Sequence, residues 1–280
     1  MNYIKYENVK NMYSNINNNQ ITLEYHNDNI DKSRVEYFFL FECCMHSAFC
    51  HWIYESAILF PQYLELKKKY PNLKLLVNKN PNRKFKELFF NVFKINTNDI
   101  YFLDNKENIP HDCKTMYKNI PINNICLVSK HFQCLNSTLD VNLLTELIKN
   151  FKNIIEKNLN IDINNEKKNN EYLFFPRNKK ENFKANNRTF DYTKVYEMLK
   201  NKKYVEYDTM NTDNFKNQVE LLLSSNNIFL DWGASFFVNG LFCKNSNLYL
   251  TNCIVGQLGF NGMKTIYDII QKNNNIIHLN

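Results

Sequence analysis

The chain has 280 residues, a formal net charge of +7, 44% hydrophobic residues and 15% aromatics, with 22 Phe and 17 Tyr against 5 Gly and 6 Pro. That composition excludes fibrous and linker-like chains and supplies enough apolar surface for one large domain or two smaller ones. The lysines are scattered, and no basic run alternates with aromatics, so a nucleic-acid partner is not expected. A lysine-rich surface or an anionic small ligand accounts for the charge, and the abundance of Asn and Lys reads as the bias of an AT-rich genome.

No apolar run approaches the ~20 residues a membrane span needs. The amino terminus is polar and lacks a signal-peptide core. A soluble, cytoplasmic protein is therefore expected. Eight cysteines occur at 43, 44, 50, 113, 126, 134, 243 and 253, without a CxxC pair. Reduced thiols are the simplest account. Cys43, Cys44, His46, Cys50 and His51 crowd together, but their spacing matches no zinc pattern, and no metal is expected.

Residues 21–25 and 35–42 read as short strands on either side of an Asn/Asp-rich turn. The period then changes. Trp52, Ile53, Ala57, Phe60, Leu64 and Leu66 space as an amphipathic helix over 48–69, with Lys67, Lys68 and Lys69 at its end. Pro61 kinks that helix or starts a second one. Strands follow at 73–77, 100–103 and 125–128, with helices at 83–93 and about 140–158. The polar stretch 160–170 marks a joint. Beyond it the alternation restarts: strand 172–175, helix 192–200, strand 204–207, helix 215–223, strand 228–230, strand 248–250 and helix 264–272. Repeated strand–helix alternation favours parallel sheets flanked by helices. Two α/β domains are expected, 1–160 and 161–280, with a cleft between them and the last helix available to pack back on the first domain.

The stretch 226–242 is the most informative. A short apolar run ends in Asp231-Trp232-Gly233-Ala234-Ser235, and an apolar segment containing Asn239 follows. Strand, small-residue turn and helix can aim backbone N–H groups at a phosphate, or can be an ordinary connection that binds nothing. Arg177 lies just past the end of a predicted strand, and Arg188 follows in a polar loop. Two guanidinium groups at that edge suit phosphate oxygens; they also read as solvated loop arginines. His51 and Glu55 are four apart on one predicted helix and share a face. Such a pair can form a general base and its orienting partner, or a structural hydrogen bond. No P-loop, GxGxxG, HExxH, Asp-x-Asp or Gly-x-Ser-x-Gly occurs.

Three ordered blocks resemble glycosyltransferase family 61. The first is Phe49-Cys50-His51-Trp52-Ile53-Tyr54-Glu55 with Leu59, Pro61 and the strand at 73–77. The second is Phe175-Pro176-Arg177 with Arg188. The third is Phe215 and Gln218, the strand at 228–230, then Gly233-Ala234 and Asn239. Together they cover about residues 45–255. Trp232 stands where many members have His, and Phe236 replaces a second Gly.

The resemblance implies a GT-B arrangement, two Rossmann-like domains facing each other across a cleft. It implies an inverting sugar transfer from a nucleotide-diphosphate sugar, UDP-linked, to a hydroxyl of a glycan or glycoprotein, with no essential metal or cofactor. Arg177, Arg188, Gln218, Gly233, Ala234, Ser235 and Asn239 would bind the donor. His51, oriented or replaced by Glu55, would be the base. A catalytically inactive nucleotide- or glycan-binding relative is the alternative, and a homodimer is allowed for.

Overall fold

A computed structural model describes residues 21–23, 36–40, 49–78, 84–103, 124–128, 140–163, 168–176, 191–207, 215–252 and 261–279. The chain divides into two compact units, Met1–Cys134 with Asn142–Ile154, and Leu135–Val141 with Ile155–Asn280. Each is built on one five-stranded sheet. The strand–helix alternation read from the sequence is present in both, and the protein is α/β with largely parallel sheets.

The first unit contains β1 (Ile21–Leu23), β2 (Glu36–Leu40), α1 (Phe49–Glu55), α2 (Phe60–Lys69), β3 (Lys74–Asn78), α3 (Lys84–Val92), β4 (Ile100–Leu103) and β5 (Asn124–Val128). The sheet order is β1-β5-β2-β3-β4. β5, β2, β3 and β4 are mutually parallel, and β1 is an antiparallel edge on β5. The order runs from β2 through β3 to β4, then returns past β2 to β5. The reversal lies between β2 and β5.

The helices of this unit are held by rings. Trp52 is fully buried, with Phe85, Phe89 and Phe90 centred 5.5, 5.9 and 6.2 Å away. Phe89 also meets Phe151 at 6.0 Å, on α4 (Val141–Leu159). Tilted and offset ring pairs of this kind add to the area they bury. Pro61 stands in the first turn of α2, where its missing N–H has no helical partner to lose. A single 3₁₀ turn at Ala57–Leu59 separates α1 from α2. Of the two outcomes open for Pro61, the second helix is the one observed.

The second unit contains β6 (Asn170–Phe175), α5 (Thr193–Leu199), β7 (Tyr204–Glu206), α6 (Phe215–Ser224), β8 (Ser225–Asp231), α7 (Ala234–Asn239), β9 (Asn247–Thr251), α8 (Asn261–Gln271) and β10 (Asn275–His278). Its order is β10-β9-β8-β6-β7, and every adjacent pair is parallel. In the unit's own numbering this is 2-1-3-4-5, a common doubly wound order. The central strand β8 carries Ile228, Phe229 and Leu230, all fully buried, as a strand covered on both faces requires. The sequence reading lacks β10. Its two isoleucines are only half-buried and stand between Asn275 and His278, so no apolar run announces an edge strand.

Helix α8 packs on this sheet's helices. A Cβ built on Gly240 would lie 3.0 Å from Ile270 Cδ1 and 3.1 Å from its Cγ2. Glycine here permits the close approach of α8. Gly240→Val is expected to cost about 1–3 kcal/mol by overpacking, read as a lower urea midpoint at unchanged slope.

Candidate functional site

In the first unit the two residues singled out do meet. His51 Nδ1 lies 2.8 Å from Glu55 Oε1. The His51 side chain is 12% exposed and that of Glu55 1%. Both belong to α1, the first helix after β2, which borders the strand-order reversal. The i,i+4 spacing sets the contact, and burial among Trp52, Ile53 and Tyr54 holds it. Nδ1 is the ring nitrogen engaged by Glu55, and Nε2 lies outside this contact. Burial first, then the neighbouring Glu55, pushes the thiol of Cys50 beside them far above the usual range. Burial does the same to the Tyr54 hydroxyl.

The second unit presents its site residues at the carboxyl ends of the strands, where open α/β sheets bind ligands. The reversal here lies between β6 and β8. β8 ends in Asp231, which is fully buried. A buried carboxylate needs donors, and this one has three. Tyr192 OH donates to Oδ2 at 2.5 Å, while Asn252 Nδ2 donates to Oδ1 at 2.8 Å and Thr251 Oγ1 also donates to Oδ1. Thr251 ends β9, and its carbonyl accepts the N–H of Trp232 at 3.0 Å. Asn252 has φ 53°, the left-handed region, and its Oδ1 accepts the N–H of Asp191 at 3.1 Å. One carboxylate thus ties together the ends of β8 and β9 and the entry to α5.

The turn follows at once. Gly233 has φ 109° and ψ −143°, a conformation essentially reserved for glycine, and its carbonyl accepts the N–H of Phe237. Ser235 Oγ is buried and has no hydrogen-bond partner among the described residues. Trp232 is 3% exposed and packs in a ring cluster with Phe236 at 5.8 Å, Phe237 at 5.1 Å and Tyr267 at 6.3 Å. The aromatic side chains of 232 and 236 are therefore core, which is why a bulky residue is accommodated beside Gly233.

Gln218 and Asn239 are brought together, but with each other: Gln218 Nε2 donates to Asn239 Oδ1 at 2.7 Å, joining α6 to α7. Asn239 is buried. Arg177 and Arg188 lie outside the described residues, as do Cys43, Cys44 and His46. Pro176, immediately before Arg177, is the first residue past β6, the strand that flanks the reversal. Asp231, Thr251 and Asn252 as an assembly escaped the sequence reading, because the contacts cross 20 and 21 positions of chain. The only available signal was an acidic residue at the end of an apolar run.

The opposite edge of the same sheet is built differently. Lys168 Nζ donates to the carbonyls of Leu223, Ser225 and Lys244 and to Ser246 Oγ at 2.7 to 3.1 Å. Nearby an open groove of about 600 Å³ is lined by Asn245, Ser246, Asn247, Asn274 and Asn275, among others. Its amides are engaged with one another and with backbone: Asn275 donates to Asn247 Oδ1, Asn247 to Asn227 Oδ1, and Asn274 to the Cys243 and Ile270 carbonyls. The groove lies at the amino ends of β9 and β10, away from the strand ends that bind ligands in such sheets.

Among the described residues, no group of three or more His, Cys, Asp or Glu is placed to hold a metal ion. None of their helices is long and apolar enough to cross a membrane. No protein-family model matches the chain, and no curated protein matches it either.

Gly233→Ala tests the turn. It is expected to destabilise the second unit by about 1–3 kcal/mol, since alanine reaches φ 109° only with strain. Thermal unfolding monitored by circular dichroism measures the loss.

Proposed function

We propose that the chain is an inverting glycosyltransferase of the GT-B arrangement, similar to glycosyltransferase family 61, that moves a sugar from a UDP-linked donor to a hydroxyl of a glycan or glycoprotein. The observation that carries this reading is the buried His51–Glu55 pair on the helix that follows the reversal strand of the first sheet. The glycine turn at the reversal of the second sheet supports it from the donor side.

In this reading His51 Nε2 takes the proton of the acceptor hydroxyl, and Glu55 holds the ring and offsets the charge it gains. The acceptor oxygen attacks the anomeric carbon on the face opposite the nucleotide. The bond from that carbon to the diphosphate oxygen breaks, and uridine diphosphate leaves with the electron pair. Arg177, Arg188, the backbone at Gly233 and Ala234, and the Ser235 hydroxyl take up the charge that develops there. Gln218 and Asn239 act behind them, joining α6 to α7 and so shaping the donor pocket.

Three outcomes are expected. His51→Ala lowers kcat by about 10²–10⁴-fold, the usual range for a lost general base, while affinity for uridine diphosphate changes little. Wild-type turnover in that variant places the base elsewhere. Arg177→Ala removes calorimetric binding of uridine diphosphate and leaves the circular dichroism spectrum unchanged. Transfer persists in EDTA; loss that manganese restores would reveal a metal the reading lacks.

A second reading, a catalytically inactive nucleotide- or glycan-binding relative, is favoured by one observation. Trp232 is buried in an aromatic cluster where many family 61 members have His. Donor binding with neither transfer nor donor hydrolysis would select it.

A further inference from the structure

We infer that β7 is a homodimer interface: two copies of the chain pair their β7 strands antiparallel about a two-fold axis at Tyr204, joining their sheets edge to edge. A dimer of this kind does not depend on the activity proposed above.

Strand β7 ends the sheet order β10-β9-β8-β6-β7, so among the described residues β6 is its one strand neighbour. The N–H of Tyr207 donates to the Phe174 carbonyl of β6 at 2.8 Å. Successive residues of a strand turn their backbone groups to alternate sides. Val205 and Tyr207 therefore face β6, and the N–H and C=O groups of Tyr204 and Glu206 face outward. An edge of this kind is a template for another strand.

The side chains on this edge suit a second copy. Lys202, in the turn before β7, and Tyr204 and Glu206 within it are spaced by two, and all three are exposed. Lys202 Nζ lies 5.6 Å from the ring centroid of Tyr172, the residue of β6 paired with Tyr204. Tyr196 of α5 meets Phe174 at 5.6 Å, and Phe174 is the residue paired with Glu206. Tyr196 is 46% exposed and Tyr204 37%. With Met198 they make up three of the six large apolar side chains left exposed among the described residues. Half of them thus fall in α5 and β7, and such a concentration marks an interaction surface.

A two-fold axis requires a surface to complement itself. With Tyr204 opposite Tyr204 of the second copy, an antiparallel register sets Lys202 opposite Glu206 of that copy, and Glu206 opposite its Lys202. Opposite charges meet twice, on either side of a pair of tyrosine rings, and both are stabilising kinds of cross-strand pair. Other outer strands lack this pattern. Strand β10, Asn275–His278, contains no acidic residue to set against a base. Strand β4 is flanked by Asp99 and Asp104, which self-pairing would set against each other.

The experiment is sedimentation velocity on the full chain over a concentration series, with Glu206→Lys, Lys202→Glu and the double reversal Lys202→Glu/Glu206→Lys. Both positions are exposed, so the variants are expected to fold, and circular dichroism checks this. The wild type is expected to dimerise. Each single reversal opposes like charges at both ends of the pair and is expected to raise the dimer Kd by about tenfold or more, since the two-fold counts it twice. The double reversal restores opposite charges in the same register and is expected to return Kd close to the wild-type value. A wild type that stays monomeric throughout would overturn the inference, with Lys202 and Lys203 then guarding a bare edge. A dimer indifferent to both single reversals, or one that the double reversal fails to restore, would overturn it as well.

Discussion

The buried carboxylate of Asp231 is the constraint on which the carboxyl edge of the second unit's sheet depends. A carboxyl group with no solvent contact is tolerated only where donors surround it. Here the three donors come from two stretches of chain: Tyr192 at the entry to α5, and Thr251 with Asn252 at and just beyond the end of β9. Satisfying one side chain therefore fixes where two parallel strands end and where a helix begins.

The first unit reaches a comparable result by different means. His51 and Glu55 need no distant partner to find each other, since helix geometry brings i and i+4 together. What the tertiary structure adds is burial. Rings from α3 and α4 close around Trp52 and Phe89, and the His–Glu pair is enclosed beside them. A contact that on an exposed helix contributes only a few tenths of a kcal/mol becomes a defined pair with one imidazole nitrogen committed to it. The same enclosure, with Glu55 beside it, pushes the Cys50 thiol far above its usual range.

The two edges of the second sheet show how similar polar groups serve different ends. At the amino edge, Lys168 and a series of asparagines from β8, β9 and β10 saturate one another and the backbone. At the carboxyl edge, Asp231 is saturated in the same way, yet Ser235 Oγ three residues past the tryptophan is buried without a partner among the described residues. Buried hydroxyls are ordinarily satisfied, and the Ser56 hydroxyl of the first unit is a second exception among the described residues.

Much of the fold was legible in the residues themselves. Period-two and period-3.6 patterns located nine of the strands and the helices between them, because apolar spacing reports which face each element buries. The His51–Glu55 pair was legible for the same reason, as a contact set by local helical geometry. The strand β10 was not, since half-buried isoleucines between polar residues carry no distinctive pattern. Nor was the pairing of Gln218 with Asn239, which satisfies two candidate ligand groups internally.

The order of the strands, and with it the grip on Asp231, came only from the tertiary structure. Which strand lies beside which is decided by burial summed over the whole sheet, and register then dictates that Asp231 faces Thr251. Local sequence determined what each segment is; the neighbours a buried polar atom acquires are a property of the assembled sheet, because a hydrogen bond across strands exists only once both strands are in place.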